Sequence, residues 1–112
     1  MKKTLLALSL LVAATAANAA FIGPGASTIQ TVSHAMMASD DSVVELTGQI
    51  SQSLGNEQYL FKDNTGEMQI EIEHDDWHGL TVNPQHTVII RGEVDNEWGS
   101  TQIDVDSIRL QP

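Results

Sequence analysis

The chain has 112 residues, with 15 acidic side chains against 5 basic ones, a formal net charge of −10 and no cysteine. This charge argues against a nucleic-acid partner, because such binding depends on Lys and Arg side chains that neutralise phosphates, and the same field repels anionic lipid headgroups. The lack of cysteine excludes disulfides, zinc-thiolate sites and thiol catalysis. Apolar packing must therefore hold the fold together.

The first nineteen residues predict a secretory signal peptide. Lys2 and Lys3 give a positive start, residues 5–14 form an apolar run too short to span a bilayer, and residues 17–19 have the small-x-small pattern of a cleavage site. We therefore expect an exported protein that begins at Ala20, carries three basic residues against fifteen acidic ones, and has no membrane span after cleavage.

The remaining sequence predicts a flexible leader over residues 20–26 and one folded domain over residues 27–112. The domain is expected to open with a helix. Ser27 and Gln30 fit a capping box, and Ile29, Val32 and Met36 fall on one face at helical spacing. We expect this helix to end near Ser39, because two aspartates follow it.

After residue 42 the hydrophobic period changes to two, which predicts strands. The expected strands cover residues 44–51, 57–62, 68–72, 87–94 and 102–110, with a non-strand connector over 74–85. The last strand is expected to shift register after Val105. A three-stranded meander, a connector and a final hairpin fit a small closed Greek-key barrel, with the helix plugging one end. Five strands suit an OB-fold, and they also suit an SH3-like barrel.

Six short motifs along the domain resemble one protein family. They are Tyr59 to Glu67, Ile70-Glu71-Ile72, Trp77-x-Gly79, Pro84, Gly92 to Asp95, and Ile103-Asp104-Val105. Their order and spacing resemble the bacterial OB-fold (BOF) family of periplasmic stress-tolerance proteins. The resemblance implies a mainly β, five-stranded OB-fold Greek-key barrel with an N-terminal helix and without the basic groove of OB-folds that bind nucleic acid.

The same resemblance implies a function in the periplasm. Members of the family are expected to help the envelope tolerate peroxide, acid, metal or cationic-peptide stress. The implied partners are an envelope component or a periplasmic or outer-membrane protein, and no catalytic residue or cofactor is implied. We therefore expect a non-enzymatic binding protein.

The candidate ligand-binding residues lie where OB-folds bind their ligands, on the second and third strands and the loop joining the last two. They are Tyr59, Gln69, Glu71 and Trp98. Such a surface could stack a sugar or hold a basic peptide. The alternative for Tyr59 is that Phe61 belongs to the core and Tyr59 is half-buried beside it. Trp98 stands in a polar loop with no obvious core to join.

One cluster resembles a metal site. His74 and His78 are four residues apart and would share a face if the connector made a helical turn, with Asp75 or Asp76 adding an oxygen ligand. This predicts, as the alternative function, a metal- or cation-sequestering protein. The other interpretation is that the two aspartates open a short helical turn while Trp77 packs on the barrel and both histidines face water.

Enzyme activity is not expected. The sequence has no glycine-flanked serine elbow or serine-lysine motif. Its alternating acids on strands are typical of a solvated face, and no second group in register with them is visible.

Overall fold

The computed structural model describes residues 28–112, so the predicted signal peptide, the leader and Ser27 lie outside the described residues. Within that range the chain forms one short helix, two 3-10 helices and five strands. Their bounds are α1 (Val32–Ala35), β1 (Val43–Gly55), β2 (Gln58–Asp63), β3 (Gly66–Glu71), η1 (His74–Trp77), β4 (Val88–Asp95), η2 (Glu97–Gly99) and β5 (Gln102–Leu110). No helix among these residues is long and apolar enough to cross a membrane.

The five strands close into a barrel with the order β1-β2-β3-β5-β4. Four of the junctions are antiparallel, whereas β3 and β5 run parallel and pair at Ile70 with Ile103 and at Glu71 with Asp104. This is the Greek-key barrel that the strand pattern predicts. The strand bounds agree with the predicted ones to within two residues, except that β1 continues to Gly55.

Alternation along the strands fills the barrel with apolar side chains. The core is formed by Val32, Ala35, Val44, Leu46, Ile50, Phe61, Met68, Ile70, Ile72, Val88, Ile90, Val94, Ile103 and Val105, and no polar or charged side chain among the described residues is buried with them. Val32 and Ala35 belong to α1, so the helix covers one end of the barrel as predicted.

The helix itself is shorter than the prediction, which was wrong about both ends. Ile29 forms a parallel bridge to Val44, and its carbonyl accepts a hydrogen bond of 2.8 Å from the N–H of Glu45. Ile29, which was expected in the first helical turn, therefore pairs with β1 instead. The true N-cap is Thr31, which has extended backbone angles and accepts from the N–H of His34. Tertiary pairing has overridden local helix propensity here.

Two sheet features follow from particular residues. The predicted register shift in β5 is confirmed: Gly92 pairs with Val105 and Arg91 with Ser107, which leaves Asp106 as the extra residue. Two strands also approach closely at Gly48, where an added Cβ would lie 2.1 Å from the carbonyl oxygen of Lys62. Only glycine fits at such a contact.

Candidate functional site

Three glutamines and one glutamate form a connected row on the outside of the barrel, which we call the amide ladder: Gln58, Gln69, Gln102 and Glu71. Gln69 Nε2 donates to Gln58 Oε1 and, at 3.0 Å, to Gln102 Oε1. Gln102 Nε2 in turn donates to Glu71 Oε1 at 3.2 Å. The ladder crosses β2, β3 and β5, including the parallel junction, and all four side chains are half-buried.

The register explains why these four side chains meet. Leu60 pairs with Gln69 and Gln58 with Glu71, so these residues share the outer face while their neighbours point into the core. Gln58 and Gln69 are therefore diagonal neighbours on this face, at a separation that long side chains can bridge. The row is therefore fixed by the sheet and is not a chance contact of long side chains.

A polar cavity of about 200 Å³ lies beside the ladder, below the loop between β4 and β5. It is lined by Gln69, Asp95, Glu97, Ser100, Thr101 and Gln102. The loop is held from the opposite side, because Asn96 N–H donates to Asp40 Oδ1 at 3.0 Å and Asn96 Nδ2 donates to the Ala38 carbonyl at 3.1 Å. The cavity therefore has one wall of strand residues and one wall of anchored loop.

The electrostatics of this region favour cationic or hydroxyl-rich ligands. An acidic pocket adjoins the loop, lined by Asp40, Asp41, Glu93, Val94, Asp95, Glu97 and Asp104. Repulsion from Asp106 raises the pKa of Glu93, and burial followed by the charge of Asp106 raises the pKa of Asp104. A phosphate would meet carboxylates here, whereas an ammonium group or a sugar hydroxyl would meet acceptors.

The basic side chains of the described residues lie on other parts of the barrel. Arg91 and Arg109 both approach Glu45 Oε2, each at 3.8 Å. Lys62 is exposed near the end of β2. None of the three lines the cavity beside the ladder.

The structure brings together two of the predicted ligand residues and separates a third. Gln69 and Glu71 both belong to the ladder. Tyr59 pairs with Ile70 and so lies on the opposite, inward face of the sheet, where its ring meets that of Trp77 edge-on with centroids 5.5 Å apart. Phe61 is fully buried and Tyr59 half-buried, which is the burial that the alternative interpretation of this strand predicts.

Trp98 belongs by its backbone to η2 in the loop beside the cavity, but its side chain lies outside what the structure describes. Gln58 and Gln102 were missed by the sequence reasoning. Their outward alternation was visible, but their contact depends on the register between three strands. The sequence of any one strand alone does not indicate that register.

The two histidines of the predicted metal site stand at the two ends of η1. A 3-10 helix has three residues per turn, and His78 follows it in the left-handed region with φ 49°. The α-helical alignment that the prediction required is therefore not formed. No group of three or more His, Asp or Glu side chains is placed to hold a metal ion anywhere in residues 28–112.

The closed five-stranded order β1-β2-β3-β5-β4 defines an OB-fold protein, and comparison with known proteins supports this. An experimental structure of the hypothetical protein YgiW from Escherichia coli superposes with a TM-score of 0.72 at 42% identity, covering 74% of this chain and 89% of that one. The telomere capping protein Ten1 from Schizosaccharomyces pombe reaches a TM-score of 0.56 at 17% identity, over 75% of this chain and 79% of that one, and shows the fold alone.

The family is defined by sequence. The model of the bacterial OB fold (BOF) protein family matches residues 11–110, and the chain belongs to this family. Protein YgiW of E. coli K12 is 43% identical over 81 residues, which is 72% of this chain and 62% of YgiW. The calcium-regulated OB-fold protein CarO of Pseudomonas aeruginosa is 37% identical over 93 residues, covering 82% of this chain and 80% of CarO. The match thus spans less than two thirds of the length of YgiW.

Proposed function

We propose that this is a non-enzymatic binding protein of the bacterial periplasm, which holds an envelope component or a partner protein on the amide ladder. The observation that carries the proposal is the ladder itself, a half-buried row of amides on the β2, β3 and β5 face beside an open polar cavity. OB-folds bind ligands on the face of their second and third strands and with the loop between the last two strands.

The chemistry of the ladder indicates the kind of ligand. Each glutamine offers two N–H donors and a carbonyl acceptor, and the sheet holds the three amides in fixed positions. Asp95, Glu97, Ser100 and Thr101 add acceptors and hydroxyls along the cavity. This set suits neutral or cationic polar groups such as sugar hydroxyls, amides and ammonium groups, and the surplus of carboxylates disfavours nucleic acid.

We further propose that this binding contributes to envelope stress tolerance, against peroxide, acid, metal or cationic peptides. The signal-peptide pattern and membership of the BOF family support a periplasmic site of action. An acidic, cysteine-free barrel suits that compartment, since it has no thiol to oxidise.

A capture experiment tests the binding role. The purified domain is used as bait in a periplasmic extract, beside a Gln69→Ala/Gln102→Ala variant and a matched Gln85→Ala control. Gln85 is an exposed glutamine in the connector. We expect a partner that the wild type and the control retain and the ladder variant loses. A partner that all three baits retain equally would mean that its binding site lies elsewhere on the protein.

Complementation tests the stress role. A strain lacking the protein is supplied with each of the three forms and challenged separately with peroxide, acid, metal and a cationic peptide. We expect the control to restore survival and the ladder variant to fail under the same stress, at equal protein abundance. Full rescue by the ladder variant would mean that stress tolerance does not depend on binding at the ladder.

A further inference from the structure

The turn that ends α1 presents a histidine and a methionine on the same side. This turn is closed by 3-10 hydrogen bonds: Met37 N–H donates to the His34 carbonyl, and Ala38 N–H donates to the Ala35 carbonyl, each at 3.2 Å. Side chains three residues apart are eclipsed in a 3-10 turn. His34 and Met37 therefore project from one side of the turn, about 6 Å apart along its axis.

Burial along the turn agrees with this alignment. Val32 and Ala35 are also three residues apart, and both are buried in the core. His34 is exposed and Met37 is 78% exposed, so this pair faces solvent. Met36 is 47% exposed, but it is one residue from Met37 and so lies about 120° away from it around the turn. Of the two exposed methionines, only Met37 is aligned with His34.

The barrel holds this turn in place from both ends. Val32, which precedes the pair, donates its N–H to a carboxylate at the end of β2 at 3.0 Å. The Ala38 carbonyl, which follows the pair, accepts from Asn96 Nδ2 at 3.1 Å. Within the described residues, hydrogen bonds reach His34 and Met37 through their backbones alone. The imidazole and the thioether are thus available on an anchored piece of backbone.

These two donors together select one kind of metal ion. Thioether sulfur is a soft ligand that favours Cu(I), and imidazole nitrogen binds copper as well as zinc, whereas Mg²⁺, Ca²⁺ and Mn²⁺ favour oxygen ligands. We propose that His34 and Met37 bind one Cu(I) ion, a metal that tolerates few ligands, through an imidazole nitrogen and Sδ. The formal net charge of −10 favours the approach of any cation to this surface.

The geometry differs from that of the other histidine cluster. His74 and His78 are four residues apart across η1, which does not match three residues per turn, whereas His34 and Met37 match it. The copper site also lies on α1 and not on the strands that carry the amide ladder. Either site can therefore fail without affecting the other.

Titration with Cu(I) tests the site. Protein labelled with ¹³C at the methionine methyl groups is titrated anaerobically in ascorbate, which keeps copper reduced, with bicinchoninate as a competing chelator. We expect one-to-one binding that shifts the Met37 methyl resonance and the ring resonances of His34. Met68 is buried in the core, so its methyl resonance is an internal reference and should not move.

Conservative variants identify the donors. Met37→Leu and His34→Gln each remove one donor at an exposed position, and Met36→Leu removes the neighbouring thioether as the control. We expect each donor variant to weaken Cu(I) binding by at least about tenfold and the control by less than about twofold, since even residues that only support metal ligands contribute about tenfold or more. Circular dichroism verifies that all three variants are folded.

Three results would overturn the proposal. A lack of saturable Cu(I) binding would mean that the two side chains are merely solvated. Equal weakening by Met36→Leu and Met37→Leu would mean that alignment with His34 does not determine where copper binds. Binding of Zn²⁺ as tight as that of Cu(I), with the Met37 methyl resonance unmoved, would mean that imidazole alone holds the metal.

Discussion

Asp63, the last residue of β2 before the turn to β3, accepts a 3.0 Å hydrogen bond at Oδ2 from the backbone N–H of Val32, 31 residues earlier in the chain. Thr65, two residues further on, makes a second hydrogen bond of the same kind: its Oγ1 accepts from the N–H of Ser33 at 3.0 Å. The first N–H groups of a helix have no partner within it. The β2–β3 turn supplies those partners and so docks α1 on the barrel.

Replacing Asp63 should therefore loosen the helix. We expect Asp63→Ala to lower the free energy of unfolding by about 1–2 kcal/mol, the usual cost of losing an N-terminal cap with a charged acceptor. Thermal melts should show a fall of roughly 4–8 °C for each kcal/mol in a domain of this size. Asn64→Ala, an exposed change in the same turn, is the control, and an equal effect of the two variants would contradict the capping role.

The same contact gives a pH dependence with a defined sign. Burial acts to raise the pKa of Asp63, but hydrogen bonds from Thr65, Val32 and Gly66 outweigh it and hold the pKa below its usual value. The stabilisation by this carboxylate is therefore complete above its unfolded pKa of about 3.9 and is lost as the pH falls through the lower folded value. Denaturant titrations below pH 4 should show this loss in the wild type and not in Asp63→Asn.

The acids around Glu93 give the free energy of unfolding a pH dependence of the opposite sign to that of Asp63, at higher pH. Repulsion from Asp106 raises the folded pKa of Glu93, so the folded protein binds protons more readily than the unfolded chain there. The free energy of unfolding should rise as the pH falls from 7 through that folded pKa, until the unfolded pKa of about 4.3 is reached. Urea titrations at pH 7.5 and pH 5 measure this gain.

Asp106→Asn isolates the repulsion. We expect it to stabilise the domain at pH 7.5 by about 0.5 kcal/mol, the scale of an exposed charge pair, and to reduce the gain on acidification. Glu67→Gln makes the same change of charge at an exposed site on β3. If Glu67→Gln stabilised the protein as much, general net charge and not the Glu93–Asp106 contact would be responsible.

Close approach of strands makes Gly48 intolerant of a side chain. Gly48→Ala would place Cβ 2.1 Å from the Lys62 carbonyl oxygen and 2.9 Å from the Phe61 ring, so β1 and β2 would have to separate. We expect a loss of about 3 kcal/mol or more, at the upper end of overpacking costs. Gly66→Ala is the matched control, since its Cβ would meet Val32 Cγ1 at 3.5 Å, and chemical denaturation of both variants should show them far apart.

The register of β3 predicts contrasting effects at adjacent positions. Ile70 is fully buried and Glu71 half-buried on the outer face. Ile70→Asp should cost several kcal/mol because it buries an unpaired carboxylate, which is enough to unfold a domain with a total stability of about 5–15 kcal/mol. Glu71→Lys should remain folded. Circular dichroism melts compare them, and equal damage would contradict the register.

The barrel was predictable from sequence where one local pattern was sufficient. The period-two alternation around Ile70 and the break in the pattern after Val105 each lie within a single strand, and both predictions are confirmed. The start of the helix was predicted wrongly because Ile29 pairs with Val44. This contact joins two separate segments of the chain, so no local pattern indicates it. The ladder has the same character: Gln58 and Gln102 become neighbours of Gln69 only once three strands are in register.

The parallel junction between β3 and β5 also bears on how the barrel opens. Within residues 28–112 these strands pair at two positions, Ile70 with Ile103 and Glu71 with Asp104, whereas β4 and β5 pair along their whole length. Local opening follows the regions with fewest cooperative contacts, so amide hydrogen exchange should be faster along this seam than between β4 and β5. Gln69 on β3 and Gln102 on β5 lie on the two sides of this parallel junction. A ligand that binds both amides would hold the two strands together and slow amide exchange between them.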